Sequence, residues 1–176
     1  LVTKLEQMIE LAKTQKKRKL VVAYGQDPNT IAAINKAVEI GLVDVILVGD
    51  QQKIKILCQE KQIDSNKFEI VHEPDEMQSA IKSVQLVREK RADFIMKGLV
   101  STDKYMRAIL DKEKGLLPPK AVLSHVSVIE TPKYHKLLIV GDVAIIPNPD
   151  LDQKIAITNY LVKTAHKLGI STPKVA

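Results

Sequence analysis

Cysteine is almost missing. Cys58 stands alone in 176 residues, which excludes an internal disulfide framework and suits a reducing, cytoplasmic setting. It falls on the Ile54/Leu57 side of an expected helix, where a small apolar residue packs rather than reacts. Aromatic residues make up 3% of the chain and are scattered, so no stacking platform or groove-reading motif points to a nucleic-acid partner. No apolar run approaches the roughly 18 residues of a membrane span. The first residues carry acids inside an apolar periodicity rather than a secretory pattern, so no membrane partner is expected. The glycine-rich nucleotide loops are missing as well: there is neither a P-loop nor a Gly-x-Gly-x-x-Gly fingerprint, and Gly25 and Gly49 stand isolated. His72, His125, His135 and His166 are too far apart in sequence to offer a ligand pair at metal-site spacing. No metal site is expected.

What is present is ordinary globular material, with 45% hydrophobic and 27% charged residues. A chain of this size can bury a real core. The net charge of +6 is concentrated in Lys13, Lys16, Lys17, Arg18 and Lys19. That run suits a solvated helix end. The excess charge would equally serve a phosphate-rich small ligand.

Apolar periodicity sets the architecture. Leu5, Met8, Ile9 and Ala12 recur on one face of a surface helix over about residues 3–15. Leu20–Gly25, Val43–Gly49, Phe68–His72 and Phe94–Met96 read as strands. Helices are expected between them, the first opened by Asp27-Pro28 and stopped by Gly41. Strands alternating with helices of this length predict an α/β fold, a three-layer α/β/α domain with a mostly parallel sheet. Beyond Leu116-Leu-Pro-Pro119 the rhythm changes. Ala121–Ile129 and Leu137–Ile146 predict an antiparallel hairpin added to that sheet, with Gly141 at a bulge or turn. Ile157, Leu161, Ala165 and Leu168 then stripe a long helix that Gly169 ends.

The strongest local chemistry lies after the fourth strand. Lys97 offers positive charge, Gly98 close backbone approach, and Ser101 and Thr102 hydroxyls at a helix N-terminus. Two readings stand: an anion-binding corner, or a helix cap beside a solvated lysine. The position in the crevice beyond a sheet strand favours the first. Tyr105, Met106, Ile109 and Leu110 face the core by periodicity, and Arg107 lies off that stripe. Asp142, Asn148 and Asp150 surround the rigid Pro147/Pro149 turn and are able to frame a cleft, while Asp150 or Asp152 also serves as a helix cap. Ser124-His125 is no nucleophile–base pair, since neighbours in a strand point to opposite faces.

Three segments in order, Met96-Lys-Gly-Leu-Val-Ser-Thr102, Leu123-Ser-His-Val126 and Gly141-Asp-Val-Ala-Ile-Ile-Pro-Asn-Pro-Asp150, resemble the phosphate acetyltransferase/phosphate butyryltransferase family, most closely its butyryltransferase branch. The resemblance runs over essentially the whole chain. It implies reversible transfer of a butanoyl or other short acyl group between coenzyme A and inorganic phosphate, with coenzyme A as substrate and no bound cofactor. It also implies a fold related to the isocitrate and isopropylmalate dehydrogenases and a homo-oligomer at full length. By the same resemblance, residues 1–150 are a first α/β domain, 151–170 a linking helix and 171–176 the start of a second domain, so the chain is an incomplete, N-terminal portion. Lys97, Gly98, Ser101 and Thr102 would line the cleft near phosphate. Ser124, Asp142 and Asn148 would form the neighbouring wall. The family's catalytic residues would lie beyond Ala176. The alternative is a non-catalytic anion- or nucleotide-binding α/β domain. A metal-dependent dehydrogenase of the related fold is disfavoured, because no paired carboxylate cluster is present.

Overall fold

The computed structural model describes all residues, 1–176. By internal contacts the chain divides into two compact units, Lys16–Pro119 on one hand and Leu1–Gln15 with Lys120–Ala176 on the other.

The unit Lys16–Pro119 is built on a four-stranded sheet. Its strands are β1 (Arg18–Ala23), β2 (Val43–Gly49), β3 (Glu69–His72) and β4 (Phe94–Lys97), in the spatial order β3-β2-β1-β4. Every pairing is parallel, so each connection must cross over a face of the sheet, and helices fill those crossovers. The side-chain alternation of β1 and β2 assigns the two faces. Leu20, Val22, Val45 and Leu47 meet Ile31 and Ile34 of α2 (Pro28–Glu39) and Ile54 and Cys58 of α3 (Gln51–Glu60). Val21, Ile46 and Val48 turn the other way to Leu86 of α4 (Glu76–Arg88). Ala23 meets Ala80 and Val84 of α4 together with Ala108 of α5 (Thr102–Leu110). This is the expected α/β/α sandwich. Fully burying one such Val, Leu or Ile contributes about 1.5–3 kcal/mol, and the central strands are apolar on both faces because both are covered.

Aspartates start three of these helices. Asp27 accepts from the Thr30 amide, Asp50 from those of Gln52 and Lys53, and Asp75 from that of Gln78. Each satisfies amides that a helix N-terminus leaves open. Hydrogen bonds to Thr30, opposed by partial burial, hold the Asp27 carboxyl below its ordinary value. The basic run is answered at the N-terminal ends of the strands. Lys17 pairs with Asp44 at 2.6 Å, Arg18 with Asp93 at 3.0 Å and Lys19 with Glu69 at 3.4 Å. These positive charges are engaged locally, at the end of the sheet opposite the candidate anion corner.

The other unit holds α1 (Leu5–Lys13), β5 (Ser127–Ile129), β6 (Leu138–Val140) and α6 (Leu151–Lys167). Here the structure corrects the sequence reading. β5 and β6 are antiparallel but form a sheet of their own, not an extension of the parallel one. They also span only three residues each. The cause is local. The amides of His125, Ala144 and Ile145 donate to the Asp142 carboxylate, and an amide committed to a side chain is lost to a strand ladder. Gly141 lies so close to the His125 carbonyl, 2.7 Å from where a Cβ would sit, that any side chain would collide with backbone. Ile157, Ala165, Leu168 and Leu137 are buried within this unit. α1 is a surface helix as expected, but none of its residues is buried, and Leu5 and Ile9 of its apolar stripe are exposed. The stripe of α5 also differs from expectation: Ala108 is its buried residue, Tyr105 and Ile109 pack at the core margin, and Leu110 is exposed.

Candidate functional site

The chain runs β1, β2, β3 outward in one direction and then returns to place β4 on the far side of β1. The carboxyl ends of β1 and β4 therefore flank a topological switch point, the place where open α/β sheets form a ligand crevice. Tyr24, Gly25, Lys97 and Gly98 sit there. Gly98 donates to the Ala23 carbonyl at 3.0 Å, and Leu99 to the Tyr24 carbonyl at 2.9 Å. A Cβ on Gly98 would stand 2.7 Å from both carbonyl oxygens. The close approach that requires glycine here is thus to the protein's own backbone. It locks the loop after β4 onto the loop after β1.

Tyr24 is a feature the sequence did not announce. Its φ of 54° is left-handed, a conformation in which a bulky side chain is strained. Two hydrogen bonds through Ser79 hold it in place. The Tyr24 amide donates to Ser79 Oγ at 2.8 Å, and Ser79 Oγ donates to the Val48 carbonyl at 3.3 Å. Ser79 is fully buried on α4, a polar residue inside an apolar stripe, and that mismatch was the one signal available in the sequence.

Around α5 the donors fall into two sets. The Ser101 amide donates to Glu76 Oε1 at 2.6 Å, and Lys104 Nζ donates to Glu76 Oε2 at 2.5 Å. The Lys104 ammonium, then the Ser101 amide and side chain, hold the Glu76 carboxyl below its usual value against partial burial. Glu76 in turn raises Lys104. Ser101 is the N-cap of α5, yet its side chain makes no capping bond and turns instead to the Glu76 carboxylate. The second set is uncommitted. Thr102 begins the helix with an exposed hydroxyl, and Lys97 is exposed and in no ion pair. Lys97, Ser101 and Thr102, joined by Gly98, therefore lie on one short turn, and the Lys97 and Thr102 side chains keep donors free for an anion. Arg107 pairs with Asp103 one turn on, at 3.1 Å, and is not among those free donors.

The other expected wall has the opposite character. Ser124 Oγ donates to Asp142 Oδ2 at 3.0 Å, and the His125 amide reaches the same oxygen at 3.3 Å. Ala144 and Ile145 amides reach Oδ1 at 2.8 Å each. Burial works against the Asp142 charge, but these four donors outweigh it and hold the carboxyl well below the usual carboxylate range. The structure thus brings Ser124 and Asp142 together. Asn148 lies exposed on the same loop, and Asp150, rather than Asp152, caps α6 in a reciprocal box with Gln153. Ser124 Oγ is bonded to Asp142 and not to His125, whose Nδ1 is buried without a partner. No cluster of three or more His, Cys, Asp or Glu side chains is placed to hold a metal, and no helix is long and apolar enough to cross a membrane. An opening of about 510 Å³ lies between Tyr134–Ile139, α6 and residues 172–176, and none of the candidate residues lines it.

Comparison with known proteins decides the family. The profile described as phosphate acetyl/butaryl transferase matches residues 4–81 and 76–176. The chain belongs to this family. It is 42% identical to a phosphate butyryltransferase of Clostridium acetobutylicum over all of its own length and 58% of that relative's. It is 31% identical to a phosphate acetyltransferase of Thermotoga maritima over 98% of its length and 58% of that relative's. Among solved structures, a branched-chain phosphotransacylase from Enterococcus faecalis superposes with a TM-score of 0.73 at 26% identity, over 89% of this chain and 54% of that one. A phosphotransacetylase from Streptococcus pyogenes, 18% identical, shares the fold with a TM-score of 0.79, over 95% of this chain and 60% of that one. The chain thus spans little more than half the length of these relatives.

Proposed function

We propose that this chain forms part of a phosphate butyryltransferase, which moves a butanoyl or other short acyl group reversibly between coenzyme A and inorganic phosphate. The observation that carries the reading is the set of uncommitted donors at the carboxyl end of β4: Lys97, the Thr102 hydroxyl and the first turn of α5. The 42% identity to a phosphate butyryltransferase favours the butanoyl group over acetyl.

In the forward direction a phosphate oxygen attacks the thioester carbon, the carbon–sulfur bond breaks, and coenzyme A leaves as thiolate to be protonated. In reverse the thiol gives up its proton and attacks the acyl-phosphate carbon, and the carbon–oxygen bond breaks to release inorganic phosphate. Lys97 and the hydroxyl of Thr102 hold phosphate by charge and hydrogen bonding. Ser124 and Asp142 stiffen the loop that carries Asn148, an exposed residue we assign to substrate binding. Asp142, already accepting from four donors, is poorly placed to take the thiol proton. That base, and the donors to the developing oxyanion, come from a second domain, with α6 as the link to it. Residues 1–150 then form the first domain of a cytoplasmic homo-oligomer.

The full reading frame that encodes this chain is assayed for coenzyme A release from butanoyl-CoA and phosphate, beside the 176-residue chain. The full-length protein turns over, prefers butanoyl- to acetyl-CoA, and the shorter chain has little or no activity. An inactive full-length protein overturns the assignment. Saturable phosphate binding without any turnover would instead favour a non-catalytic anion-binding domain, a reading suited to the self-contained core of Lys16–Pro119.

A further inference from the structure

Three polar residues are buried in this chain: Gln26, Ser79 and Ser83. Both serines spend their hydroxyl protons on carbonyls, of Val48 and of Ser79. Gln26 is different. It follows the turn that leaves β1 and is 8% exposed. Its Oε1 accepts the Asp50 amide at 2.7 Å, which ties the loop after β1 to the start of α3. Gly49 leaves room for that contact, since a Cβ there would stand 3.1 Å from the same oxygen. An N–H is met only by an acceptor, so the contact also fixes which way the carboxamide faces. Its Nε2, with two N–H donors, bonds to no protein group. Nor is it sealed in the core, where His125 Nδ1 is the atom left unpaired. It therefore opens onto the carboxyl end of the sheet. A carboxylate would tie Asp50 equally well; what glutamine adds is a neutral pair of donors.

The preceding residue places that pair. Gly25 Cα lies 3.1 Å from where a Cβ on Gly98 would sit, so Gln26 borders the same switch-point crevice as Lys97. Its surroundings differ in charge. The acidic N-caps Asp27 and Asp50 stand on either side of it, which disfavours a phosphate oxygen and leaves a neutral carbonyl as the fitting acceptor.

We propose that Gln26 is a substrate-binding residue whose Nε2 donates to a carbonyl oxygen of the acyl-coenzyme A, beside the phosphate that Lys97 holds. The inference rests on the acyltransferase reading. Two carbonyls share this chemistry, that of the thioester and those of the pantetheine amides, and the test tells them apart.

The full-length enzyme and its Gln26→Met variant are assayed in both directions. Methionine keeps the length of the side chain but neither accepts the Asp50 amide nor donates. The KM for butanoyl-CoA rises about fivefold, the scale of one neutral hydrogen bond, while the KM for phosphate stays within about twofold. In reverse, an equal rise in the KM for free coenzyme A assigns the bond to a pantetheine amide, and an unchanged value assigns it to the thioester. An unchanged KM for butanoyl-CoA would overturn the proposal. So would equal rises for butanoyl-CoA and phosphate, which would mean a loosened crevice rather than a lost contact. Where the variant fails to fold, the parent enzyme decides. The side-chain amide signals of isotope-labelled glutamine are followed by NMR as butanoyl-CoA is added without phosphate, Gln26 being recognised by its contact with the Asp50 amide. A saturable shift of the Gln26 pair supports the assignment; a silent pair in an active enzyme overturns it alone. An inactive full-length parent sinks the acyltransferase reading and this inference with it.

Discussion

The turn after β4 and the loop after β6 carry similar polar residues and use them in opposite ways. Lys97 and Thr102 leave their side-chain donors free, since the anchoring of that turn is delegated to backbone (Gly98, Leu99) and to Glu76, which holds Ser101. Around Asp142 everything is spent: Ser124 Oγ and three amides converge on one carboxylate. Free donors can receive a ligand anion, whereas a saturated carboxylate organises its own loop and repels one. Residue type alone does not distinguish the two cases; hydrogen-bond partners do.

The comparison can be broken at several points. The largest effect belongs to Gly98→Ala. A methyl 2.7 Å from two carbonyl oxygens forces the β1 and β4 loops apart, at about 3 kcal/mol, readable as a lower urea midpoint with unchanged m-value. Next comes Asp142→Ala. It strands the amides of Ala144 and Ile145, so their exchange accelerates and the thermal midpoint drops, while phosphate affinity at the β4 turn holds. The same carboxyl sets a pH dependence. Its folded value lies below that of the unfolded chain, so its contribution is present above an unfolded value of about 3.9 and is lost as pH falls through the folded value. Acid unfolding of the parent chain should therefore be less steep in Asp142→Asn. Lys97→Ala has the reverse profile: phosphate affinity down about tenfold, with the thermal midpoint unmoved because the side chain pairs with nothing. Asn148→Ala gives the smallest effect on stability. Its exposed side chain makes no hydrogen bond, so the urea midpoint stays where it is in the parent chain.

Much of the fold was legible because its signals are local and periodic. The two-residue alternation in Leu20–Ala23 and Val45–Val48 names both faces of the sheet, and Asp27-Pro28 and Gly41 bracket α2. The hairpin was misjudged because Ala121–Ile129 and Leu137–Ile146 look equally strand-like in pattern. A side chain such as Asp142, competing for backbone amides from 17 residues away, leaves no periodic trace. The site was half legible. A lysine, a glycine and hydroxyls after a strand identify the turn, but Tyr24, Ser79 and Glu76 act through contacts across 25 to 55 residues of chain. Ser79 in an apolar stripe was the one visible hint.

The central claim is that the β4–α5 turn receives the anion while the Asp142 loop is already satisfied by its own backbone. Titrating the 176-residue chain with inorganic phosphate, with each backbone amide followed by NMR, tests it directly. The account predicts saturable shifts at Gly98 and Thr102–Lys104, with Ala144 and Ile145 unmoved. Shifts confined to Ala144 and Ile145, or none at the β4–α5 turn, would contradict it.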